Sequence, residues 1–314
     1  SNSDGVDLDD DSTSVASTIT SVDGDILITA TSTAADNGFE LQSGSTVVST
    51  GTGASAATIT INGTADLVGV YVDNLGSGIS SVDGAISING TGTAAIVDQT
   101  RGIELRGGQI TSSGTGVDAA TITITGNAFD DGVLINDNFT VNSVAGDILI
   151  TGTSTDDDGV DLGTGAVIQS TGTGVNAATI VIDGTGASSS GIESDDAQVN
   201  SADGDISLSG NGDRGIDLET TTVTSTGSAT LTLTGTGTNS FGIELDDATL
   251  NSTGTGIITV SGTSTGDDGV NINGATAQVA SAAGDIALTG STTGTGTGNN
   301  GVDIESGITL IINA

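Results

Sequence analysis

A three-part phrase recurs along the whole chain and constrains the fold more than any other feature. One copy reads GDILITGTSTDDDGVDLGTGAVIQSTG, from Gly146 to Gly172, and another reads GDISLSGNGDRGIDLETTTVTSTG, from Gly204 to Gly227. A repeat of this size is one supersecondary unit that cannot bury its apolar face alone, so copies must stack. Each copy divides into three short strands. Strand A carries an Ile-x-Ile pattern, as in Ile26/Ile28, Ile122/Ile124, Ile180/Ile182 and Ile286/Leu288. Strand B opens on Gly and then alternates, as in Val6/Leu8, Phe39/Leu41, Ile103/Leu105 and Val302/Ile304; Ser194 takes the second apolar place beside Ile192. Strand C is shorter, with one aliphatic residue and a Ser two positions later: Ile19 and Ser21, Val141 and Ser143, Val279 and Ser281. Period-two alternation sends these aliphatic side chains to one face.

Stacking A on A, B on B and C on C encloses one apolar interior and pairs each strand's backbone with the coils above and below. The expected fold is all-β: a right-handed parallel β-helix, a single three-sheet solenoid over residues 1–314. Strand B glycines at 5, 38, 69, 102, 132, 159, 191, 215, 242, 269 and 301 mark about eleven rungs. At ~4.8 Å per rung these make a rod of roughly 50 Å. Insertions such as Ala94 to Arg101 and Gly172 to Ala178 are assigned to the loop before strand B and the A–B or B–C corners. Asp-Gly or Asn-Gly pairs lead into strand B, for example Asp131-Gly132 and Asn300-Gly301, and suit left-handed backbone angles. The same turns serve antiparallel hairpins. Three unlike strands in fixed order favour the parallel coil.

Composition narrows the function. Lys plus Arg number 3 (Arg101, Arg106 and Arg214) against 40 Asp plus Glu, with no His and a formal charge of -37. Such a surface repels nucleic-acid phosphates and anionic lipid headgroups, so neither nucleic-acid binding nor membrane insertion is expected. It attracts divalent cations and basic partners, and it keeps the chain soluble. Cys is absent, which excludes disulfides and thiol chemistry. Met is absent too, so the chain reads as a processed product or a piece of something longer. Acidic, Gly-rich chains are often disordered, but regularly spaced β-branched residues argue for folding.

The candidate metal site is a column. The outward residue of strand B is acidic in most rungs: Asp7, Glu40, Glu104, Asp161, Glu193, Asp217, Glu244 and Asp303, interrupted by Tyr71, Leu134 and Asn271. On a solvated face such charges repel by under ~1 kcal/mol per pair. A Ca²⁺ ion between rungs would relieve that repulsion, because hard cations take clustered oxygen ligands. Asp9–Asp11, Asp156–Asp158, Asp195–Asp196, Asp246–Asp247 and Asp267–Asp268 could contribute. There is no EF-hand loop and no glycine-rich nonapeptide series. The ten strand C serines have no His or Lys to activate them, so they read as a stacked hydroxyl ladder, bonded to one another or to turn carbonyls. Outward positions of strand A mix Leu27, Leu149, Val181, Ala287 and Ile311 with Thr60, Thr123, Thr232 and Thr259. Such a face can pack on another rod or a flat polymer, although β-propensity alone also accounts for it. Asn62, Asn89, Asn138 and Asn251 lie in N-x-S/T sequons.

The GDIxITGTS and STGTG phrases resemble the β-strand-repeat regions of large secreted bacterial surface proteins, of the filamentous-haemagglutinin-like adhesin and autotransporter-passenger type. The resemblance covers nearly the whole chain and rests on repeat style. It implies export and structural or adhesive work at the cell surface. β-helical polysaccharide lyases and polygalacturonases resemble the chain in coil architecture only, since the Asp pairs here show no basic companion in sequence. A carboxylate-only glycosidase would need an acid–base pair in a cleft. A non-enzymatic extracellular fibre or stalk, binding copies of itself end to end, is therefore expected. An adhesin gripping polysaccharide or a host surface is the alternative. GVDL at the start reads as strand B and TLIINA at the end as strand A, with both ends expected to be covered by more of the same protein.

Overall fold

The computed structural model describes residues 4–8, 16–33, 36–95, 99–305 and 308–312. Asp9–Asp11, named above among the candidate ligands, lie outside them. The chain is an all-β solenoid. Two eleven-stranded sheets hold the B and C strands and a ten-stranded sheet holds the A strands, with every sheet ordered along the chain by threes. The strand pairs are parallel and in register, for example Ile148↔Ile180↔Ile206 in sheet A and Ile168↔Val199↔Val223 in sheet C. Inward apolar residues form one continuous core, in which Phe39, Phe139, Ile61, Ile124 and Leu231 are fully buried. Burying each is worth about 1.5–3 kcal/mol. Ser194, the one polar substitute, is buried too; its hydroxyl lies 2.7 Å from Thr221 Oγ1 and 3.3 Å from the Leu162 carbonyl.

Three expectations are corrected. First, Thr309–Ile312 is a C strand: it pairs with Gln278–Ser281, with Leu310 opposite Val279. Reach decides this, since eight residues separate Val302 from Leu310 and nine separate Val270 from Val279. Ile311 therefore leaves the sheet A face. Second, the strand B glycines are not left-handed; none has positive φ. They are required by close approach. A Cβ on Gly152 would lie 1.8 Å from the Gly159 carbonyl oxygen, and one on Gly132 would lie 2.3 Å from Thr153 N. Sheet A thus ends in one glycine column and sheet B begins in another, and the two backbones touch. Third, Gly172 to Ala178 lies in a C-to-A corner, between Val167–Ser170 and Ile180–Gly186.

Those C-to-A corners alternate. The first, third, fifth and seventh are short, as in Ser21-Val22-Asp23-Gly24-Asp25-Ile26. The second, fourth and sixth are long, as in Ser170 to Ile180. Each long loop leans back on the preceding coil: the N–H groups of Ala57 and Ala120 donate to the Val22 and Val82 carbonyls. Aspartates fasten consecutive corners. Asp25 Oδ1 accepts from Thr58 N and Oγ1, Asp147 Oδ1 from Thr179 N, and Asp203 Oδ2 from Gly174 N at 2.7 Å. In the fifth corner Ala145 stands where Asp23, Asp83 and Asp203 stand in the first, third and seventh; the equally short tenth corner has Ala283 there. At the fifth corner a cleft of about 350 Å³ opens beside Thr115, Val144 and Val175.

The strand C serines stack in register from Ser21 to Ser281, and all but Ser21 are buried. They do not bond to one another in series. Ser21, Ser143 and Ser201 donate to the carbonyl three residues on, at Gly24, Gly146 and Gly204. The hydroxyls of Ser49, Ser81, Ser112, Ser170, Ser225 and Ser252 are buried with no hydrogen-bond partner.

Candidate functional site

Sheet B carries the candidate site, because its outward side chains line up rung over rung. The column runs Asp7, Glu40, Tyr71, Glu104, Leu134, Asp161, Glu193, Asp217, Glu244, Asn271 and Asp303, each opposite the next. All eight carboxylates of the expected site therefore share one face. Four of them, Asp161, Glu193, Asp217 and Glu244, are consecutive.

The face is not the freely solvated one that the spacing suggested. Asp7 is exposed, but Glu40, Asp161, Glu193, Asp217, Glu244 and Asp303 are part-buried and Glu104 is only 7% exposed. The touching glycine columns draw the end of each A strand over the start of each B strand. The intervening turns, with Asp130, Asp131 and Asp156–Asp158, then form a wall beside the column. Clefts open along it. One of about 170 Å³ is lined by Glu193, Arg214 and Ser188–Ser190. Another of about 340 Å³ is lined by Tyr71, Arg101, Glu104 and Arg106.

All three basic residues of the chain lie here, which corrects the expectation that the acidic groups lack basic companions. Arg101 reaches Asp131 at 2.8 Å, Glu104 at 3.3 Å and Asp130 at 3.4 Å. Arg106 meets Asp137 at 2.9 Å and Glu104 at 3.4 Å. Arg214 pairs with Asp217 and, at 3.3 Å, with Glu244. The signal was present in sequence. RGIEL and RGIDL place Arg directly before the strand B glycine, where six of the other nine rungs carry Asp or Asn, with the outward carboxylate three residues on.

Between the rungs of Arg101 and Arg214 the carboxylates crowd. Asp158 is raised to about 8 by burial, with the Glu193 charge adding to it. Asp161 is likewise raised to about 8 by burial, with Asp131 and Asp158 adding. Asp131 rises to about 7 through burial, opposed by Arg101. Burial raises Glu193, Asp217 and Glu244 as well, the last two against the pull of Arg214. Glu40, in the second rung, rises to about 7, again through burial first. Asp158 and Asp161 thus hold protons at neutral pH, or the row gathers a cation in their place.

Two groups among the described residues bring three carboxylate oxygens within 4.8 Å of one another: Asp4, Asp36 and Glu40, and Asp131, Asp157 and Asp158. Either set fits a hard divalent ion by donor chemistry. Of the eight column residues, only Glu40 belongs to such a group; the others stand one per rung. The flanking aspartates before the strand B glycine complete the second set. No protein-family model matches the chain, and neither does any curated protein or solved structure.

Proposed function

We propose that this chain is a non-catalytic structural segment of an extracellular, cell-surface fibre or stalk, joined end to end to further coils of the same kind. The observation that carries this reading is the state of the two outermost coils. Val6, Leu8, Ile19 and Ile28 at one end, and Ile286, Leu288 and Val302 at the other, belong to the core yet are only part-buried. Among the described residues, no strand pairs with the outer edges of these strands. Another coil in register would satisfy both deficits at once. The narrow residue alphabet suits a repetitive exported protein. The part-buried acidic column gives the fibre a cation dependence, with Ca²⁺ at the Asp131, Asp157 and Asp158 set. Electron microscopy and light scattering across a concentration series test the assembly. Rods that lengthen in steps of one chain support it; a strictly monomeric particle at high concentration contradicts stacking of separate copies.

A second reading, an adhesin for polysaccharide or a host surface, draws on the long corner loops. Val117 and Val175 sit fully exposed at equivalent tips two rungs apart. A glycan array separates the two readings, since saturable binding lost on shortening these loops favours the adhesin.

A further inference from the structure

Sheet A presents thirty outward positions, in three columns across ten rungs. Ser or Thr fills six of the first column, seven of the second and eight of the third. The third column includes Thr64, Thr91, Thr153, Thr185, Thr236 and Thr263. Four Asn and four aliphatic residues occupy most of the rest, and Asp183 is the one charged group on the face. This is a selective feature in a chain with 40 carboxylates. All thirty side chains are exposed or part-exposed, alternating with inward aliphatic neighbours that are buried except in the first and last rungs. Parallel pairing keeps the columns in register from Leu27 to Ala287.

The geometry fixes the spacing. Rungs repeat at about 4.8 Å and successive outward residues of a strand at about 6.6 Å. Thr is stiff at χ1, so its hydroxyl and methyl hold fixed places on that grid. The result is a rigid, nearly uncharged rectangular array of hydroxyls interspersed with methyls. The rung repeat lies close to the oxygen repeat of hexagonal ice along the a axis, and the strand-wise repeat is somewhat shorter than that along c. Charge decides among occupants. A second copy laid side by side on this face brings two chains of -37 together along their length with no strand edge to pair in return, unlike end-to-end stacking. A polysaccharide surface is met elsewhere by aromatic stacking, and the face has no aromatic residue. Water is uncharged, small and able to donate and accept at every hydroxyl. We propose that the outward face of sheet A binds ice, holding a layer of water in lattice order on its Ser/Thr grid.

The outward face of sheet C supplies an internal control. It is also uncharged along its described strands, but it is two columns wide and mixed with Gln and Asn, as at Gln109, Asn142, Gln169 and Asn200. The test is ice-affinity partitioning with thermal hysteresis, on the whole chain. Wild type is expected to enter a slowly grown ice front and to open a hysteresis gap. Thr125→Tyr combined with Thr234→Tyr, both exposed on the centre column, is expected to abolish both effects. Thr111→Tyr combined with Thr224→Tyr, on sheet C, is expected to retain them. Matching circular dichroism and melting temperatures keep misfolding out of the comparison. Exclusion of wild type from ice overturns the proposal. So does an equal loss in the sheet C variant, binding to crystalline cellulose or chitin in place of ice, or a dimer that the sheet A variant dissolves.

Discussion

Single side chains divide into those with a partner and those without, and the division is measurable. Ser143 donates to the Gly146 carbonyl, whereas Ser225 is buried with no partner. Ser143→Ala is expected to cost about 1 kcal/mol in denaturant melts, and Ser225→Ala to be neutral or stabilising, since it removes an unsatisfied hydroxyl. Equal losses at both would mean that the column is bridged throughout. The acidic row gives a pH signature. Asp158 and Asp161 titrate at about 8 in the fold and Asp131 at about 7, all raised by burial. An unfolded Asp titrates near 4. The folded state thus binds more protons between those values, so stability is greatest below pH ~4 on this account and falls as pH climbs through 7 to 8. The melting temperature is expected to drop from pH 5 to pH 9. Asp161→Asn should flatten that slope and raise the melting temperature at pH 9. A slope of the opposite sign would show that the charged forms are the ones the fold stabilises.

Strands and corners obey a sterner rule, set by the two glycine columns. Gly152→Ala places a Cβ 1.8 Å from the Gly159 carbonyl, in backbone that cannot move without displacing both sheets. Overpacking of this kind costs about 3 kcal/mol. Gly174→Ala, at φ 80° in an exposed corner with open space around it, should cost only about 1 kcal/mol for the left-handed backbone. Thermal melts of the two variants check the order, and a reversed order would remove the contact argument. The strands themselves were legible because their aliphatic residues alternate without exception in sheet A. The last strand was misassigned because TLII satisfies the A and C patterns alike, and only its distance from Val302 places it. The corners were harder still. Nothing in a Gly says whether it is needed for φ or for room, and both occur here. The column of Asp161, Glu193, Asp217 and Glu244 could be read from the period. Its burial could not, since that follows from how closely the A-to-B turn folds over it.

Along the whole rod, charge and core work against each other. One uninterrupted apolar core runs the length of the coil, while -37 of formal charge repels itself around it. Divalent cations should therefore stiffen the rod: millimolar Ca²⁺ is expected to raise the melting temperature, and Asp157→Asn with Asp158→Asn to remove most of the gain. Identical melts in Ca²⁺ and in chelator would rule the cation out. All of this rests on parallel coils stacked in register, and the absence of native Cys makes that directly testable by introduced pairs. Asn142 faces Gln169, and Gln169 faces Asn200, on successive rungs of sheet C. Neighbouring rungs bring Cα atoms to about 4.8 Å, within disulfide range, while alternate rungs lie near twice that. Under mild oxidation the pairs Asn142→Cys with Gln169→Cys, and Gln169→Cys with Asn200→Cys, should cross-link nearly completely, and Asn142→Cys with Asn200→Cys should not. Failure of both neighbouring pairs, or cross-linking of the alternate pair instead, would contradict the coil.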